Sequence, residues 1–289
     1  MIRYAKPTTV NEALALLGEG QWRLLAGGTD FYPALGNRPL RENVLDINGL
    51  DELRDVSETA AHIIVGARTT WSDIVARELP PAFDALKEAA REVGSIQIQN
   101  TGTVVGNLCN ASPAADGVPA LMILDAEVEV SSHDSVRHLP LRQFILGNRR
   151  TALRPAEMVT AIRVPKVSTA GSSSFFKLGA RRYLVISIAM AAARIVVRDG
   201  VIEDAAISVG ACSEVAQRLD ALESALRGRS AQSAPDIVED RHLGGLQPID
   251  DVRGSTEYRR AAAREIVVRV IEAALEKAVP AGQPATVAA

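Results

Sequence analysis

Cysteine, histidine and net charge are all scarce in this sequence. Two cysteines occur in 289 residues, Cys109 and Cys212, far apart. A disulfide framework is therefore not expected, and a reducing cytoplasm is the expected compartment. The four histidines, His62, His133, His138 and His242, form no His-Glu-x-x-His pattern, and the cysteines form no Cys-x-x-Cys pair. The chain is thus not expected to ligate zinc or an iron–sulfur cluster by itself. Net charge is −3, so no cationic field invites nucleic acid or an acidic membrane. No apolar run approaches the roughly 20 residues of a membrane span. The opening residues lack the basic, apolar, small-residue order of a signal peptide. No Gly-x-Ser-x-Gly elbow is present, which leaves hydrolysis without support.

What is there is an ordinary globular balance, 47% hydrophobic and 23% charged, at a length that suggests two or three compact units. Thr9 and Glu12 have capping-box spacing ahead of an apolar stripe from Val10 to Leu17, with Gly18 as a stop. Trp22 to Ala26 reads as a strand, followed by a Gly27-Gly28 turn and a helix over Phe31 to Leu35. Further strands are expected over Asn43 to Ile47, Ile63 to Gly66, Glu127 to Val130 and Met158 to Val164. Thr70 and Asp73 mark a helix start, and a helix is expected from Ala82 to Val93. Gly94 to Gly117 has no clean period. Pro165 to Ser174 has linker composition. Asp199-Gly200 between apolar runs is a hairpin signal. A helix is expected from Val215 to Leu226, loop with short helical pieces from Gly228 to Gly254, and a long amphipathic helix from Ala261 to Ala278. The tail at 283–289 is expected to be flexible.

Two glycine runs carry the chemistry. The first is LLAGGTD, Leu24 to Asp30. The second is GTVVGNLCNASPAAD, Gly102 to Asp116. Glycine lets a backbone approach a diphosphate, and successive N–H groups in such turns form anion nests. Hydroxyls of Thr29, Thr103 and Ser112 add donors, and Asp116 is an acceptor suited to sugar hydroxyls. Neither run spells Gly-x-Gly-x-x-Gly or the Walker pattern, so the architecture of a nucleotide site stays open.

These runs, with FFKLGARR (175–182), GNRRTALRPAEMVTAIRVP (147–165), ISVGACSEVAQRLDALESALRG (207–228) and DVRGSTEYRRAAAREIVVR (251–269), resemble the FAD-binding medium subunits of molybdenum hydroxylases. Xanthine, carbon monoxide and nicotine dehydrogenases are of this type. The resemblance spans most of the chain in family order. It implies an α+β (mixed α/β) fold: an FAD-binding domain over 1–170, in lobes of about 1–52 and 53–170, then an α+β domain over 171–282. It implies that Leu25, Ala26, Gly27, Gly28, Thr29, Asp30 and Phe31 wrap the FAD diphosphate from one side. Thr103, Val105, Gly106 and Asn107 would bind it from the other, with Ser112 as a further donor. Asp116 would accept hydrogen bonds from FAD, and Val93, Met158 and Val159 would flank it. Lys177 would lie near the flavin ring as the catalytic cation. Tyr183 and Cys109 are open candidates for touching the flavin.

One departure stands out: the family has Gly-Gly where this chain has Val105-Gly106. A β-branched residue disfavours positive φ, so Val105 is expected to be extended and Gly106 to carry the close contact. The resemblance also implies partners: a large subunit with the molybdopterin cofactor and a small one with 2Fe–2S clusters, as a pair of three-subunit units. Electrons would pass through FAD to NAD, oxygen or another carrier. A free-standing flavin oxidoreductase with its own small substrate is the alternative. A non-catalytic nucleotide-binding or assembly protein is the third reading.

Overall fold

The computed structural model describes residues 2–182 and 184–278. The expectations for Tyr183 and for the tail at 283–289 lie outside those residues. The first fifty residues build a three-stranded parallel sheet, ordered Tyr4–Ala5, Asn43–Asp46, Trp22–Leu25. The helix Val10–Gly18 connects the first two strands in the chain. Thr9 caps it by accepting the Glu12 N–H at 3.2 Å. Glu12 reaches back to the Thr8 N–H rather than to that of Thr9, a capping box displaced by one residue. Ala13, Leu14 and Leu17 form its buried stripe.

A five-stranded antiparallel sheet follows, ordered Val56–Glu58, His62–Gly66, Met158–Pro165, Glu127–Ser131, Val136–Pro140. Its core faces helices that begin at Trp71–Ala76, where Thr70 and Asp73 close a complete capping box. The helix Asp84–Glu92 comes next, two residues shorter at its start than its composition suggests because Pro81–Phe83 is 3-10. The aperiodic stretch then resolves into two short helices, Ile96–Thr101 and Val104–Asn110, and a third, Gly117–Met122, starts at its end. Each makes less than two turns, too little length for a 3.6-residue repeat to show in sequence.

The last unit is a four-stranded antiparallel sheet, ordered Ser172–Leu178, Ala189–Arg198, Val201–Gly210, Gln217–Arg218. Asp199 and Gly200 both take positive φ, +51° and +75°, as a type I′ hairpin turn requires. Alternate residues of one strand serve two cores. Ala189, Ala191, Ala193 and Ile195 pack beneath the helix Thr256–Ala278, while Met190 and Ala192 join the core of the preceding unit.

Two expectations are corrected here. The linker composition at 165–174 hides structure: Lys166–Thr169 is 3-10 and a strand starts at Ser172. Its hydroxyls are tertiary donors, Ser173 to the Ala82 carbonyl at 2.8 Å, Ser174 to Glu88 at 3.0 Å and Ser172 to the Ala274 carbonyl at 2.6 Å. The helix expected from Val215 begins at Asp220, because Gln217 and Arg218 pair with Val209 and Ser208 at the sheet edge. The region from 228 to 254 is loop with 3-10 pieces, as its composition suggests. The class is mixed α+β, as expected. Among the described residues no helix is long and apolar enough to cross a membrane.

Candidate functional site

A cleft of about 690 Å3 opens between the loop after Trp22–Leu25 and the helices around Thr103. Of the residues singled out in sequence, Ala26, Gly27, Gly28, Thr29, Asp30, Phe31, Val93, Thr103, Val105, Gly106, Asn107 and Val159 line it. A larger groove, about 860 Å3, runs between the segment 239–244 and the helix start at 257–264 and carries none of them.

The two glycine runs answer first to each other. A Cβ on Gly27 would lie 1.8 Å from the Thr101 carbonyl oxygen. One on Gly102 would lie 2.9 Å from the Ile98 carbonyl oxygen and 3.3 Å from the Thr29 hydroxyl. Gly28 is left-handed at φ +74°. The loop's entry is held by Asn48, which donates to the Ala26 carbonyl at 2.8 Å and to Asp46 at 2.7 Å. Burial alone would raise the Asp46 carboxyl; hydrogen bonds from Tyr4 and Asn48 outweigh it and hold that carboxyl below its usual range. The five successive N–H groups of residues 27 to 31 have no acceptor among the described residues. Consecutive amides of this kind make an anion-binding concavity.

The opposite wall corrects an expectation. Val105 is not extended; it lies in the first turn of the helix Val104–Asn110. Neither it nor Gly106 needs positive φ. Thr103 caps this helix, its hydroxyl accepting the Gly106 N–H at 3.0 Å. A Cβ on Gly106 would sit 2.7 Å from that hydroxyl, so Gly106 keeps the cap in place. Asn107 Oδ1 is buried without a donor among the described residues, although Asn107 lines the cleft. An unsatisfied buried acceptor of this sort is costly unless something donates to it. Free amides and the apolar walls of Phe31, Val93, Val105 and Val159 suit a ligand with a diphosphate and a flat, partly apolar ring system. FAD fits that description.

Five of the anticipated residues are elsewhere. Leu25 turns inward with Val44 beside Phe31, Met158 is in the main core, and the Ser112 hydroxyl accepts the Ala114 N–H at 3.3 Å. Asp116 and Lys177 meet in a buried pair. Lys177 Nζ donates to Asp116 Oδ2 at 2.8 Å, to the Glu92 carbonyl at 3.1 Å and to the Val185 carbonyl at 3.4 Å, which uses all three ammonium hydrogens. Ser187 donates to Asp116 Oδ1 at 2.5 Å. Burial pushes the Asp116 carboxyl up, against the opposing pull of Lys177 and Ser187. The pair lies behind the cleft wall. Glu92 precedes Val93, and Asp116 precedes Gly117, whose Cβ would meet Trp71 at 2.5 Å and Asn107 at 3.3 Å. Lys177 is therefore half of an ion pair in this structure, not a bare cation.

Other cleft residues have no local signal. Trp71, Ala67 and Ile98 reach it from helices and turns, and Arg149 arrives on the hairpin Ile145–Gly147, Arg150–Thr151. Cys109 also lines the cleft, with burial pushing its thiol up to about 12.

Residues 1–167 match the family described as FAD binding domain in molybdopterin dehydrogenase, and residues 174–274 the CO dehydrogenase flavoprotein C-terminal domain. The chain is 31% identical to the 6-hydroxypseudooxynicotine dehydrogenase complex subunit alpha of Paenarthrobacter nicotinovorans, over 96% of this chain and 95% of that protein. It is 29% identical to the carbon monoxide dehydrogenase medium chain of Hydrogenophaga pseudoflava, over 94% and 96%. Among solved structures it is similar to the carbon monoxide dehydrogenase from Hydrogenophaga pseudoflava that lacks the Mo-pyranopterin moiety, with TM-score 0.85, 28% identity and coverage of 96% and 98%. It is also similar to quinoline 2-oxidoreductase from Pseudomonas putida 86, with TM-score 0.86, 25% identity and the same coverage. The first family model spans more than half of the chain, and the fold and cleft agree with it: this chain belongs to the FAD-binding subunit family of the molybdopterin dehydrogenases.

Proposed function

We propose that this chain is the FAD-holding oxidoreductase subunit of a molybdenum hydroxylase, taking electrons from a partner iron–sulfur subunit and passing them to an external acceptor such as NAD or oxygen. The observation that carries the reading is the row of five unpaired amides over residues 27 to 31, which lines one cleft together with the cap at Thr103. FAD, when bound, supplies a centre that accepts electrons singly and in pairs.

The chain's own residues do the binding and shielding. Amides 27 to 31 take the diphosphate, and Asn107 lines the cleft opposite them. Phe31, Val93, Val105 and Val159 exclude water from the ring system. Leu25 and Met158 support those walls from the cores, and Ser112 shapes the turn that leads to Asp116. The Asp116–Lys177 pair sets a fixed dipole behind the wall. The FAD-binding domain is then 1–170, in lobes of about 1–52 and 53–170, with the second domain over 171–282.

The partners are those that the family resemblance implies, and the cysteine count is compatible with them. A 2Fe–2S cluster takes four thiolates, and this sequence has two cysteines. A small 2Fe–2S subunit and a large molybdopterin subunit supply the rest, as a cytoplasmic dimer of heterotrimers. Co-expression with both partners, purification and acid extraction test the reading. The expected result is a yellow complex releasing one noncovalent FAD per copy of this chain; a colourless complex with no extractable flavin overturns it.

A further inference from the structure

We propose that Arg149 binds a phosphate group at the rim of the cleft, an inference that rests on the cleft being the flavin site. Arg149 lines the cleft next to Cys109 and Asn110, and its side chain is exposed there. It is held at two points. Its N–H donates to the Ala111 carbonyl at 2.9 Å, and its guanidinium donates to the Asn110 side-chain carbonyl. Its backbone is left-handed at φ +57°, which is uncommon for a residue with a side chain.

The bland account is a cation beside the carbonyl end of the helix Val104–Asn110. That account uses one of five guanidinium donors and leaves the charge open. No carboxylate pairs with Arg149 among the described residues. The contrast is Arg23, the cleft's other arginine, which is paired with Glu42 at 3.2 Å and stacked over the Phe31 ring at 4.4 Å. The carboxylate on the cleft itself is Asp30, exposed on the loop that carries the free amides. A planar fork of donors with an unneutralised charge matches a phosphate oxyanion in shape and sign. Two sources offer that group: the diphosphate of FAD and the phosphates of an incoming dinucleotide acceptor.

The test compares wild type, R149Q and R149K in the assembled complex. Deflavinated complex is titrated with FAD and with riboflavin, which carries no phosphate, by flavin fluorescence. FAD-loaded complex is titrated with ADP-ribose by calorimetry. If FAD supplies the phosphate, R149Q weakens FAD binding about tenfold, R149K recovers part of it and riboflavin is unchanged. If the acceptor supplies it, FAD binding holds and ADP-ribose binding falls by a similar factor. Unchanged binding of FAD and ADP-ribose in R149Q overturns the proposal, as does equal weakening of FAD and riboflavin. A wild-type complex that takes up no FAD sinks the flavin reading instead.

Discussion

Lys177 and Asp116 lie 61 residues apart in sequence and 2.8 Å apart in the fold, joined across two units by a buried ion pair. Their side chains are 6% and 10% exposed. Water cannot compensate either charge if the other is removed. K177M and D116N should therefore each cost about 3–5 kcal/mol. The double variant should cost less than the two losses added, because it leaves no buried charge unpaired. Urea unfolding of the four proteins checks this; additive losses would show that the pair does not couple.

Gly27 makes a second prediction. Its hydrogen faces the Thr101 carbonyl where a methyl group has no room. G27A should push the two loops apart, cost at least about 1–3 kcal/mol and empty the complex of FAD. G20A is the control, since nothing lies within 4 Å of a Cβ there. It should leave stability within about 0.5 kcal/mol of wild type and flavin content unchanged. Flavin absorbance per protein and thermal melting read both.

Acid should unfold this chain partly through Asp251. The Arg253 N–H, with the Arg259 and Arg253 side chains, holds the Asp251 carboxyl at about 2, below its ordinary 3.8. The folded state thus binds this proton less readily than the unfolded state. The stabilisation is complete above pH 3.8 and is lost as pH falls from there towards 2. D251N should be less stable at pH 6 and should lose less on going from pH 4 to pH 2.5. Urea midpoints across that range measure it; parallel curves would sink the assignment.

Much of the fold was legible because it is locally coded. Thr70 with Asp73 caps a helix, and Asp199-Gly200 takes the two positive φ values that its hairpin needs. The short helices Ile96–Thr101 and Val104–Asn110 were not legible, since each spans less than two turns and the repeat does not recur often enough to show. The candidate site divides the same way. Both glycine runs stand out in sequence and both line one cleft.

By itself the sequence determined the two glycine runs, the family that they resemble, and that two cysteines are too few to hold a 2Fe–2S cluster in this chain alone. Tertiary structure alone decided what each residue does there. Gly27 is glycine because the Thr101 backbone crosses it, Val105 is helical because Thr103 caps the turn, and Lys177 is neutralised because the fold brings Asp116 to it. The physical reason is range. Turn chemistry and capping act over about four residues and are written in the local sequence. Close backbone approach and buried charge pairing depend on segments far apart in the chain, and no local pattern records which of them will meet.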